Sequence, residues 1–86
     1  MVKKNIAIIG AGQIGSRHLQ ACNLLVQRCN IFLVDPSESS LQMAEERFVE
    51  SVTPTSPRHH LSKLKSIQQL PQELDIVIVA TASTHR

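Results

Sequence analysis

Three glycines and one aspartate are the residues of this chain whose types and spacing could do chemistry. Gly10-Ala11-Gly12-Gln13-Ile14-Gly15 carries glycine at its first, third and sixth places. In a turn from strand to helix each place has a physical demand. The first glycine makes the tight turn, the second lets backbone come close to a pyrophosphate, and the third lets the helix pack closely on the strand. The amides of Gly12, Gln13 and Ile14 would then point outward at a helix N-terminus, where unpaired N–H groups and the macrodipole favour an anion without any charged side chain. Asp35 lies 20 residues beyond Gly15, the spacing at which a carboxylate ending the next strand accepts hydrogen bonds from an adenosine ribose.

Taken singly, such glycines serve turns that need positive φ, and an aspartate ahead of a helix serves as a cap. A plain turn requires neither three glycines at these intervals nor an acid at that distance, so the two features together predict a dinucleotide site. A carboxylate in this place repels the 2′-phosphate of NADP, and Pro36 and Ser37 supply no arginine to pair with it. NAD is therefore the expected cofactor.

These residues need a strand before them, a helix opened by the loop, and a second strand ending at the aspartate. Asn5-Ile6-Ala7-Ile8-Ile9 is a β-branched run without polar alternation, suited to a strand buried on both faces of a parallel sheet. Ile14, Ala21, Cys22 and Leu25 fall on one face of an α-helix, which predicts a first helix ending near Gln27 or Arg28. Ile31-Phe32-Leu33-Val34 gives the second strand, stopped by Asp35-Pro36-Ser37, with Ser37 able to cap a new helix. Leu41, Ala44 and Phe48, set among good helix formers, predict that second helix from about Glu38 to Val49.

Pro54 and Pro57 then break the pattern, and His59 to Lys65 carries a weak signal for an edge strand. Ser66-Ile67-Gln68-Gln69 matches a capping box and predicts one or two helical turns before Pro71. Asp75-Ile76-Val77-Ile78-Val79-Ala80 is the strongest buried-strand signal in the chain and supplies a fourth strand. Strands alternating with helices indicate a parallel sheet with right-handed crossovers.

Ile6 to His18, Asp35-Pro36 and the run from Asp75 to Thr81 together resemble the N-terminal domain of the glucose-fructose oxidoreductase, inositol dehydrogenase and rhizopine catabolism oxidoreductase family, over nearly the whole chain. More particular to that family are His18, three residues past the glycine motif, and the small-residue turn Thr81-Ala82-Ser83-Thr84-His85. The resemblance implies an α/β fold, a partial doubly wound parallel sheet of Rossmann type in the order 3-2-1-4 that lacks the later strands. Residues 1–86 would be the N-terminal part of one dinucleotide-binding domain. Thr81, Ala82 and Ser83 would stand beyond the carboxyl end of the fourth strand, at the switch point where ligands bind, lining the ribose and nicotinamide side. The stretch from Ser51 to Lys65, longer and richer in Pro and His than a compact connection, is expected to be a surface loop.

His18, four residues past Ile14, is expected to be a packed structural histidine on the apolar face of the first helix. Members of the family carry a lysine in a Glu-Lys-Pro stretch and an acid-base histidine beyond the fourth strand. No catalytic residue is therefore assigned here, and the chain is expected to be a truncated piece whose small-molecule substrate is held by a missing domain. By resemblance the complete protein moves a hydride between NAD(H) and a hydroxyl-bearing, sugar-like substrate. Two other readings share the glycine loop: a nucleotide-sensing regulatory module without turnover, and an interaction domain that has lost its ligand.

Composition bounds these expectations. A chain of 86 residues, 42% hydrophobic and 19% charged, can build one modest core. Nine basic against seven acidic residues are scattered, and with no Trp or Tyr there is no basic-aromatic surface for nucleic acid. No apolar run reaches the roughly 18 to 20 residues that span a bilayer, so no membrane partner and a cytoplasmic location are expected. Cys22 and Cys29 lack metal or redox spacing and read as small buried thiols, and His18, His59, His60 and His85 form no ligand pattern. An apolar fourth strand without a further neighbour would favour self-association through its edge.

Overall fold

The computed structural model describes residues 4–25 and 27–80. Strand β1 (Lys4–Ile9) leads into helix α1 (Gln13–Ala21), followed by β2 (Cys29–Val34), α2 (Glu38–Glu50), β3 (His60–Leu64) and β4 (Ile76–Val79). All strand pairings are parallel and the sheet runs β3-β2-β1-β4, the expected order. Register explains which residues fill the core. Ile6 lies beside Ile31 and Ile8 beside Leu33, so one pleat face presents an unbroken apolar row, with Leu61 of β3 continuing it. Leu19 and Cys22 from one side and Leu41, Ala44 and Phe48 from α2 close over that row. Full burial of a side chain such as Ile8, Ile31 or Leu33 contributes roughly 1.5 to 3 kcal/mol.

The second helix forms as its sequence dictates. The Oγ of Ser37 caps it by accepting from the Ser40 N–H at 3.3 Å, and the spacing of Leu41, Ala44 and Phe48 turns all three inward. The capping box closes a single 3-10 turn, Ile67–Gln69. Ser66 Oγ accepts from the Gln68 N–H and Gln69 Oε1 from the Ser66 N–H, each at 3.2 Å. The edge strand begins at His60, so the loop anticipated from Ser51 to Lys65 ends at His59.

Three expectations need correction. The first helix stops at Ala21 and tightens into a 3-10 turn, Cys22–Leu24, well short of Gln27. The cause is Asn23, whose buried Nδ2 donates to the Phe48 carbonyl at 3.0 Å and to Ser51 Oγ at 2.7 Å, drawing the chain to the end of α2. The buried face of α1 is Gly15, Ser16 and Leu19, continued by Cys22, whereas Ile14, Ala21 and Leu25 are exposed. Close packing selects small residues there, so the inward face is not the most apolar one. His18 shares the outward face with Ile14 and is exposed rather than packed. Finally β4, the strongest buried-strand signal in the sequence, leaves Val77 49% and Val79 68% exposed, because the strand order places it at an edge with β1 as its one described neighbour. Among the described residues no helix is long and apolar enough to cross a membrane.

Candidate functional site

The glycine motif occupies the turn between β1 and α1, and each glycine answers a different demand. Gly10 has φ 108°, the left-handed region that excludes most side chains, and its N–H donates to the Val34 carbonyl at 2.7 Å. A Cβ on Gly15 would collide with the carbonyl oxygen of Gly10 and lie 2.8 Å from its carbon, so α1 can seat against the turn only if that residue has no side chain. Gly12 differs from both. Its φ of −73° and ψ of −162° suit any residue, and an added Cβ would meet nothing within 4 Å. The packing of this chain gives no reason for glycine at position 12. A ligand's close approach would supply one, since a Cβ would fill the space over the start of α1.

Gly12 is the N-cap of α1 but offers no side chain to the first turn. Among the described residues the amides opening the helix thus receive no side-chain cap, as an anion site requires. Across from them stands Asp35, half-buried just past the end of β2. Its Oδ2 accepts from the Ala11 N–H and its Oδ1 from the Ser37 N–H, both at 2.8 Å, while its own N–H donates to the Leu64 carbonyl at 3.0 Å. Each carboxylate oxygen keeps lone-pair capacity for a further donor.

These features border one cleft of about 520 Å³ at the carboxyl end of the sheet. Gly10, Gly12, Gln13, Ile14 and Asp35 line it, so five of the anticipated site residues come together. Gly15 stands behind the lining and shapes the turn. Thr81, Ala82 and Ser83 lie outside the described residues. Pro36, Ser40 and Ala80 line the cleft as well, and sequence reasoning missed them as site residues. A signal for Ser40 existed, because a residue three positions past the Ser37 cap lies within the first turn of α2, beside the end of β2.

Among the described lining residues Asp35 alone is titratable, so these residues by themselves offer no proton donor-acceptor pair. The thiols supply no nucleophile either. Burial, with Cys29 adding to it, pushes the Cys22 thiol up to about 11, and burial foremost, then Asp75, raises Cys29. Both stay protonated and inert near neutrality.

Curated proteins offer no match to this sequence. The model of a family of oxidoreductases with an NAD-binding Rossmann fold does match, over residues 4–86. That span takes in the glycine turn, Asp35 and all four strands in their observed order, and the chain accordingly belongs to the Gfo/Idh/MocA oxidoreductase family.

Proposed function

We propose that this chain forms the NAD(H)-binding part of an oxidoreductase that transfers a hydride to or from a hydroxyl-bearing, sugar-like substrate. The observation that carries the binding half is Gly12, a glycine with ordinary dihedrals and open space where its Cβ would stand, at the uncapped start of α1. The amides of Gly12, Gln13 and Ile14 would hold the pyrophosphate, and Asp35 the adenosine ribose. Thr81, Ala82 and Ser83, next in sequence after Ala80, which lines the cleft, would face the ribose and nicotinamide side. NAD supplies the hydride-accepting ring when bound, and the part of these residues is to bind and orient it.

The choice of NAD over NADP rests on charge. Asp35 would oppose a 2′-phosphate, and no lysine or arginine is among the described residues lining this cleft. Titration of the chain with NADH should give a saturable change in nicotinamide fluorescence, and calorimetry should rank NAD above NADP. Tighter binding of NADP overturns the preference, and no binding of either removes the cofactor role. The substrate class is proposed by analogy with the oxidoreductase family that the chain belongs to. Two free, buried thiols fit a reducing compartment such as the cytoplasm.

A further inference from the structure

Asp35 does more at this cleft than stand ready for a ribose. Its two carboxylate oxygens are each engaged within the chain, and by opposite walls. Oδ2 takes the N–H of Ala11, in the middle of the glycine turn, at 2.8 Å, and Oδ1 takes the N–H of Ser37, the cap of α2, at 2.8 Å. One wall of the cleft carries Gly12 and Gln13, and the other carries Pro36 and Ser40. The carboxylate is the described side chain hydrogen-bonded to both. Its backbone is itself fixed, because the Asp35 N–H donates to Leu64 at the end of β3 and the preceding Val34 carbonyl receives the Gly10 N–H at 2.7 Å. Ala11 is buried, 5% exposed, so its amide has no ready access to water in place of the carboxylate.

We infer that Asp35 is a positioning residue of the cleft: its carboxylate clamps the glycine turn to the start of α2 and so pre-sets the amides that receive a pyrophosphate. This role rests on the nucleotide reading of the cleft and adds to it, because it acts on a part of the ligand that the carboxylate does not touch. An asparagine cannot take it over, since a carboxamide accepts through one atom only and turns a donor toward the second amide. The two roles also have opposite electrostatic consequences. A carboxylate that only contacts the ribose repels the nearby pyrophosphate, so its removal should leave binding of a ribose-modified nucleotide unchanged or tighter. A carboxylate that sets the turn makes the same removal weaken binding, because the amides lose the arrangement they had before the ligand arrived.

The test uses NAD and its 2′,3′-dideoxyadenosine analogue, which has no diol for Asp35 to contact, titrated calorimetrically into the wild-type chain and Asp35→Ala. The clamp predicts that Asp35→Ala binds the analogue about tenfold more weakly than wild type does. Equal or tighter binding by the variant overturns it. Because Asp35→Ala could lose its fold, a second measurement uses the unmutated, ligand-free chain. Long-range NMR correlation across hydrogen bonds should connect the Ala11 amide to the Asp35 side-chain carboxyl carbon, and absence of that correlation under conditions where the Gly10 to Val34 bond is seen overturns the clamp. A wild-type chain that binds neither nucleotide while showing the correlation refutes the nucleotide reading and, with it, the functional use of the clamp, but upholds its geometry.

Discussion

The two ends of the sheet are built on opposite principles. At the amino end, side chains reach out to backbone and use up its polar groups. The Asn5 N–H donates to Asp75 Oδ2 at 2.7 Å, Asn5 Nδ2 to the Glu73 carbonyl at 2.9 Å, and Asn30 Nδ2 to Asn5 Oδ1 at 3.0 Å. The His59 ring takes the Cys29 N–H on Nδ1 at 3.0 Å and gives its Nε2 proton to the Cys22 carbonyl at 2.7 Å, with Phe48 beside it at a ring separation of 6.5 Å. At the carboxyl end, the first turn of α1 has no side-chain cap, and one carboxylate spans the cleft. Backbone donors satisfied internally hold the fold together. Donors left open at a helix start keep their capacity for something outside the chain. One exception sits at the satisfied end, where the buried Oδ1 of Asn23 has no partner among the described residues.

The sharpest way to break this contrast is to attack the packing that the open end does depend on. Gly15→Ala would place a methyl group on the Gly10 carbonyl, and backbone on both sides leaves little room to give. A loss of at least about 3 kcal/mol is expected, at the upper end of overpacking effects. For a domain of this size that lowers the melting temperature by roughly 10 °C or more, readable by circular dichroism. A variant melting within about 3 °C of wild type would show that α1 can slide away from the turn.

His59→Ala attacks the other end. It strands the Cys29 amide and the Cys22 carbonyl and leaves a gap beside Phe48, for an expected loss of about 2 to 3 kcal/mol by urea denaturation. Affinity for NADH, measured where the variant is fully folded, should not change. A parallel loss of affinity would mean that the two ends are mechanically coupled, and the division of labour would fail.

A smaller effect at the same end comes from pH. Burial, reinforced by Cys29, raises the Cys22 thiol from 9.0 to about 11 in the folded chain. A raised folded value means that the neutral thiol's contribution is fully present below about pH 9 and is lost as pH climbs towards 11. The loss should reach roughly 2 kcal/mol, and Cys22→Ala should flatten that part of a stability-pH profile. An unchanged slope in the variant would place the alkaline loss elsewhere.

How far the sequence revealed each end also differs, for a physical reason. The carboxyl end was legible because its chemistry is carried by residue types with narrow uses. Gly10 needs positive φ, Gly15 needs absence of a side chain, and Asp35 comes at the close of a strand, so type and spacing sufficed. The strand order and the Ser37 cap followed from apolar runs and turn residues in the same way. The amino end was not legible, since Asn23 and His59 act through partners at sequence separations of 25 to 37 residues that no local pattern encodes. The misplaced face of α1 has a related cause. Gly15 and Ser16 are buried because the sheet comes close, and a hydrophobic periodicity passes over them in favour of Ile14 and Ala21.

Gly12→Ala should produce the smallest change in stability and separates the two principles most cleanly. The backbone at position 12 is already acceptable to alanine, and no atom lies within 4 Å of the new methyl group. Stability should stay within about 1 kcal/mol of wild type and can rise, because alanine restricts the unfolded chain. The same methyl group would stand over the amides that face a pyrophosphate, so NADH affinity should fall at least about tenfold, near 1.4 kcal/mol. Gly15→Ala and Gly12→Ala thus each add one methyl group, three residues apart, the first expected to destabilise the fold and the second to leave it stable with weakened binding. If Gly12→Ala bound NADH as wild type does, the open space over α1 would be empty of function. The one glycine that the fold does not explain would then have no explanation in binding either.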